Sequence, residues 1–239
     1  MQKSYTVDAL VDFFSDKYTY VELNHVLEEG IPTFSTLAKY SKTICGSLAL
    51  GDMATHHLFT FSDHSGTHAD SPNHYIKGGK SVDQLLPGQM IGRGVHIEAA
   101  NLPDNGLMTK ERILKWEEEN SQIRQGDIIL FDYGYHKRWF TRPQGDSFVK
   151  GLWPGLSDEG AKYLLEKKVA VVGSDAISVD ACNATDYPAH NILLGNGILL
   201  LECLANLSVL PALSFVICLP LRMSGASGSP VRVIAMIEK

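Results

Sequence analysis

Apolar residues recur along this chain in two rhythms, one helical and one alternating or continuous. VDALVDFFSD (7–16) repeats its apolar positions with helical spacing. TYVELNHVL (19–27) reads as a strand that runs into a loop holding Gly30 and Pro32. HHLFTFSDH (56–64) is β-prone, and SVDQLLPGQMIG (81–92) is a short helix-like piece followed by turns. GRGVHIEA (92–99) reads as a strand. TKERILKWEEEN (109–120) predicts a helix with Thr109 as its N-cap. GDIILFDYG (126–134) is a strong strand entered through a Gly-Asp turn. Residues 134–156 are aromatic, Gly- and Pro-rich and irregular, the pattern of a lid or binding loop. SDEGAKYLLEKK (157–168) predicts a helix capped by Ser157, with lysines at the end that suits the helix dipole. VAVVGSD (169–175), GILLLECL (197–204), FVICLPL (215–221) and VRVIAMI (231–237) are strands. Helices interleave only partly with these strands, which predicts an α/β fold with a mixed sheet.

The 239 residues suffice for one domain with a full core, and a single domain over 1–239 is the simplest division. A net charge of −6 gives no basic footprint, so no nucleic-acid partner is expected. The longest apolar run, ILLLECLANLSVLPAL, is interrupted by Glu202 and is too short to span a bilayer, so no membrane association is expected. The first residues, MQKSYTVDALVDFFSDKY, lack the apolar stretch of a signal peptide. Cys45, Cys182, Cys203 and Cys218 form no CxxC pair, which points to free thiols in a reducing cytoplasm.

Residues 64–74, HSGTHADSPNH, change the picture from fold to chemistry. His64, His68, Asp70 and His74 share one parity, yet a straight strand would hold His64 and His68 roughly 13 Å apart at about 3.3 Å per residue. Two ligands of one ion lie about 3–4 Å apart, given bonds near 2 Å. A metal site therefore requires the chain to curl. Ser65-Gly66-Thr67 supplies the bend, because glycine tolerates positive φ. Pro72 then sets a turn that returns His74 towards His68 and Asp70. One helical turn is the alternative, and Gly66 and Pro72 oppose a longer helix. Two imidazoles and a carboxylate suit Zn²⁺ or Mn²⁺. A solvated polar loop is the competing reading.

Glu202 lies in a nearly all-apolar strand, where an ionised carboxylate must be paired or bound to a metal. His190, twelve residues earlier, becomes a second candidate ligand in a helix–turn–strand unit. Asp175 stands at a strand end, where α/β sheets carry function. Asp180 and Asp186 read as turn and capping residues.

HSGTHADSPNH matches the HxGTHxDxPxH motif of the cyclase-like metal-dependent hydrolases, the family of bacterial kynurenine formamidase and isatin hydrolase. LWPGLSDEGAKYLLEKKVAVVGSDAISVD, HNILLGNGILLLECLANL and LPLRMSGASGSPVRVIAMI also resemble segments of that family, so the likeness spans most of residues 55–237. The resemblance implies a swivelling β/β/α (cyclase-like) domain, assembled as a homodimer or homotetramer. It implies His64, His68 and Asp70 as metal ligands, with His190 and Glu202 completing a site for one or two ions. It implies His74 as the general acid/base. GSDAISVD and FDYGYHKRWF depart from the family pattern, with Ala176 where threonine is usual.

The resemblance, taken with these residues, implies hydrolysis of an amide, lactam or imide C–N bond in a small substrate, through water activated by the ion. Phe59, Phe61 and Trp153, with Trp139 and Phe140, are candidate walls for an aromatic substrate or plain core. A lyase or cyclase, a lactone hydrolase, and a metal-binding protein without turnover are the alternatives.

Overall fold

The computed structural model describes residues 6–239; Met1 to Tyr5, the start of the segment read for a signal peptide, lie outside it. Helix α1 (Val7–Lys17) is followed by β1 (Tyr18–Glu22), β2 (Ser41–Gly46), β3 (His56–Thr60), β4 (His68–Asp70), β5 (Ile91–Glu98) and β6 (Leu107–Met108). Helix α2 (Lys110–Glu119), β7 (Ile128–Asp132), α3 (Asp146–Lys150), β8 (Gly155–Leu156) and α4 (Asp158–Lys167) come next. The chain ends through β9 (Val171–Ser174), α5 (Pro188–Gly195), β10 (Leu199–Glu202), β11 (Leu213–Pro220) and β12 (Gly228–Glu238). Both predicted caps form: the Thr109 side chain accepts from the N–H of Arg112, and Ser157 from that of Gly160.

The strand order is β1-β12-β11-β5-β7-β9-β10-β4, and β4 also pairs with β12. The sheet thus closes into a seven-stranded ring with β1 attached outside. Strands β5, β7, β9 and β10 run parallel, and the remaining pairs in this sheet are antiparallel. Closure depends on the three residues of β4, where His68 pairs with Glu202 on one side and Pro230 on the other.

Alternation along the strands gives the ring two apolar faces. Ala69, Ile128, Leu130, Val171, Leu199, Leu201, Val216 and Val233 pack together inside. Val95, Ile97, Ile129, Phe131, Val172 and Leu200 pack outside with Leu164 of α4 and Leu193 of α5. Parity then fixes where the polar residues point. His68 and Asp70 flank inward Ala69, so they face outwards, as does Glu202 beside inward Leu201. His96 and Asp132 take the inward parity. Helix α5 is held on the outer face by Ala189, Leu193 and Leu194, each buried; full burial of a leucine contributes about 1.5–3 kcal/mol. That packing brings His190 over β10.

Two regions differ from the sequence expectation. Strand β2 pairs only with β3, in a hairpin apart from the main sheet. All of β2 except Gly46 is exposed, so it lacks the alternation by which a strand is recognised. Residues 134–156 are not a structureless loop: they hold a 3₁₀ turn (Tyr135–Arg138), α3 and β8. Fully buried Phe148 anchors the segment, and the Tyr135 hydroxyl donates to its carbonyl at 3.0 Å. Among the described residues no helix is long and apolar enough to cross a membrane.

Candidate metal centre

The predicted bend falls at Gly66, with φ +64°. The positive φ favours glycine there, and a Cβ would also press on Leu27 Cδ2 at 2.5 Å. After the bend β4 runs for three residues, and a 3₁₀ turn over Pro72–His74 returns His74 towards the bend. The His64 ring ends 4.0 Å from that of His74 and 5.1 Å from that of His68. Gly228, opposite Asp70 across the β4–β12 pair, leaves room for His64; a Cβ there would meet His64 Cε1 at 2.5 Å.

Asp70 is the centre of the cluster. His64 Nδ1 lies 2.8 Å from Asp70 Oδ1, His68 Nε2 lies 3.4 Å from the same oxygen, and His190 Nε2 lies 3.7 Å from Oδ2. Glu202 receives His68 Nε2 at 3.4 Å on Oε2 and His190 Nε2 at 3.4 Å on Oε1. Each imidazole is tethered through its other nitrogen. His68 Nδ1 meets the Gly66 carbonyl at 2.9 Å, and His190 Nδ1 meets Asp180 Oδ2 at 2.6 Å. His64 Nε2 meets Ser227 Oγ at 2.9 Å, whose hydroxyl donates to Asp63. Such tethers fix ring orientation and leave one nitrogen of each ring aimed at the carboxylates.

The donor set fits a divalent ion. Asp70 is wholly buried, and the imidazole nitrogens that approach its oxygens are not aligned as hydrogen-bond donors to them. A buried carboxylate in that state demands positive charge. Burial alone would raise the Asp70 pKa, but His190 and His64 hold it well below the carboxylate range. His68 and His190 are raised well above the usual imidazole value: burial opposes this, and Cys203 and Glu202 at His68, and Asp180, Asp70 and Glu202 at His190, outweigh it. Without an ion, protons on the rings balance the carboxylates; ion uptake displaces those protons. His64, Asp70 and His74 offer ligand atoms within 4.8 Å of one another, as do His68, Asp70 and Glu202. The two groups share Asp70.

A cavity of about 470 Å³ opens on these donors. Its apolar wall includes Phe34, Tyr75, Val149, Trp153, Ile177 and Tyr187, and among the described residues no lysine or arginine lines it. His74 is exposed, unlike the buried His68 and His190. Trp153 lines the cavity as expected, fixed by its indole N–H donating to the Asp180 carbonyl at 2.9 Å. Phe59 and Phe61 do not wall it, which corrects the sequence expectation. They belong to the hairpin outside the main sheet, where both rings pack near Tyr40. Trp139 and Phe140 are also absent from the wall; Trp139 stacks on His25 at 4.0 Å and Phe140 is exposed.

The three aspartates part ways. Asp186 is exposed. Asp180 caps, but more than a turn: its carboxylate accepts from the N–H of Ala189 and His190 and from the His190 ring. Sequence reading missed this positioning role, because a ten-residue loop separation carries no period. Buried Asp175 accepts from the N–H of Tyr133 and His136 and faces His136 Nδ1 at 2.9 Å. With inward Asp132 and His96, it forms a second polar cluster on the other face of the ring. That cluster ties down the start of the 134–156 segment.

The Cyclase family model matches residues 21–181, well over half of the chain. The chain belongs to the Cyclase family. This Cyclase-family chain is 34% identical over 197 residues to isatin hydrolase of Roseibium aggregatum, covering 74% of this chain and 73% of that protein. It is 30% identical over 221 residues to kynurenine formamidase of Bacillus cereus, covering 90% and 96%. Isatin hydrolase A from Labrenzia aggregata, solved with benzyl benzoate, superposes with a TM-score of 0.89 at 29% identity, over 98% of this chain and 100% of that one. An isatin hydrolase bound to the product analogue thioisatinate gives 0.88 at 26% identity, over 98% and 100%. Its relatives are thus hydrolases of C–N amide bonds, and the single α/β domain with a mixed sheet is theirs too.

Proposed function

We propose that this chain is a metal-dependent hydrolase that opens the C–N bond of a small, uncharged aromatic amide or lactam. Buried Asp70, faced by three imidazoles and without a well-aligned hydrogen bond to either oxygen, carries the reading. His64, His68, Asp70, His190 and Glu202 are the ligands for Zn²⁺ or Mn²⁺, and the shared Asp70 supports one ion or two. When bound, such an ion polarises a carbonyl and makes water acidic enough to attack at neutral pH.

The residues then divide the labour. The apolar wall holds the substrate and excludes bulk water. His74, at the edge of the donor set and open to the cavity, takes a proton from the attacking water and returns it to the leaving nitrogen. Partial desolvation of the ring where it packs against the donor set, the first cause, and neighbouring His64 lower its pKa despite Asp70, which favours the neutral, proton-accepting ring. Water adds to the carbonyl carbon, the C–N bond breaks, and a carboxylic acid and an amine remain.

The lining favours one of the two substrate types its relatives' names suggest. With no lysine or arginine among its described lining residues, the cavity offers no permanently charged partner for an amino-acid carboxylate. This supports a neutral aryl lactam over N-formylkynurenine. The test is an assay panel of isatin, N-formylkynurenine, a cyclic imide and a lactone, run on chelated and metal-reloaded protein. Turnover of isatin by the reloaded protein alone is expected. Metal binding with no turnover of any of the four would replace this reading with a binding protein.

Two further features belong to the proposal. The β2–β3 hairpin exposes Ile44, Leu48, Leu50, Leu58 and Phe59, which supports burial against another copy in a homodimer or homotetramer. Four unpaired cysteines support a reducing compartment, the cytoplasm.

A further inference from the structure

Tyr187 carries backbone strain that packing does not repay. Its φ of 45° and ψ of 56° lie in the left-handed region, which bulky side chains avoid. Pro188 follows, and a proline pushes the residue before it towards extended backbone. Tyr187 opposes both preferences at once. The conformation is locked from either side. Asn191 Nδ2 donates to the carbonyls of Asp186 at 2.9 Å and Tyr187 at 3.0 Å, and the Asn191 N–H donates to Tyr187 at 3.1 Å. On the other side Asp180 receives the N–H groups of Ala189 and His190. Strain held in this over-determined way gathers at working sites.

The ring gains little from core burial, being 44% exposed. It lines the cavity instead. There it meets the Tyr75 ring edge-on, with centroids 5.6 Å apart and planes at 62°. Tyr75 in turn lies over the His190 ring at 4.4 Å and 31°. Phe34 and Trp153, themselves edge-to-face at 6.3 Å, line the same cavity. An open aromatic face beside the donor set, in a cavity that no lysine or arginine among the described residues lines, fits a flat π system.

We propose that Tyr187 is a specificity-determining residue: with Tyr75 it clamps the aryl ring of the substrate, so that the amide carbonyl lies over the donors around Asp70. The strained backbone is what aims the Tyr187 ring into the cavity. This inference rests on the amide-hydrolase reading above.

The test uses Y187N and Y187G, which tolerate left-handed backbone but lose the ring, and Y187F, which keeps it. In metal-loaded protein, Y187N and Y187G are expected to raise KM for isatin about tenfold, the order of one lost aromatic contact, with kcat held within about twofold. They should melt no lower than the parent, since the strain is relieved. Y187F should keep the parental KM, and kcat/KM for succinimide, which has no aryl ring, should not move. Calorimetric affinity for oxindole, an aryl lactam, should fall by the same factor in Y187N and Y187G. That readout needs no turnover, so loss of oxindole binding with no hydrolysis of isatin would uphold the clamp while refuting the reaction. Unchanged KM and oxindole affinity in Y187N and Y187G, or an equal loss with succinimide, would overturn the clamp.

Discussion

His74 and His25 are two imidazoles with opposite tasks. His74 sits at the open edge of the donor set, and the proposed role for it is to carry the proton. His74→Ala should leave metal content unchanged and lower kcat/KM by about 10²–10⁴, the usual worth of a positioned acid–base group. Metal analysis beside steady-state kinetics checks this, and retained turnover would remove His74 from the mechanism. His25 is structural. It stacks on Trp139, and its Nε2 is buried without a partner. Burial, aided by His136, lowers its pKa from 6.5 to about 4. The unfolded chain therefore takes up a proton that the folded chain refuses between those values. The stabilisation is whole above pH 6.5 and falls as pH drops towards 4, by about 3 kcal/mol. In denaturant titrations of wild type and His25→Phe, the stability difference should move by that amount in favour of the variant as pH falls over this window. The motif residues were legible because their spacing is local and their chemistry specific. His25 was not, since its role depends on a tryptophan 114 positions away.

At the scale of elements, helix α5 and strand β10 deliver His190 and Glu202 to the same edge of the ring. Asp180 holds α5 by its first N–H groups and His190 by its ring. Asp180→Asn keeps the shape and loses the charge-assisted bond to the imidazole. It should weaken metal affinity about 10–100-fold, as loss of a ligand's orienting partner does, while the far-ultraviolet circular dichroism stays unchanged. A competition titration with a chromophoric chelator reads the affinity. The helices α2 and α4 were legible from period and caps, and the apolar strands from their continuity. Strand β2 was not, because it is solvent-exposed and gains its partner only in the hairpin. The 134–156 segment was read as a loop because its anchors, Tyr135 and Phe148, pair thirteen residues apart without a period.

The whole molecule is a closed ring, with the donor set on its outer face and a second polar cluster at its inner one. Composition and pattern announced a mixed sheet. Closure itself was not legible, since it rests on three-residue β4 meeting β12 about 160 positions later. The exposed apolar hairpin makes a prediction at this scale. Leu58→Glu, on a residue 58% exposed, should shift the proposed homodimer or homotetramer towards monomer in sedimentation velocity while its melting transition is retained. An unchanged sedimentation coefficient would place any interface elsewhere. The central claim is that this centre adds water across an amide, and ¹⁸O-labelled water tests it most directly. Metal-reloaded protein turning over isatin in labelled water should place one ¹⁸O in the new carboxylate, and chelated protein should give none. Turnover that survives chelation, or a product without label, would contradict the account.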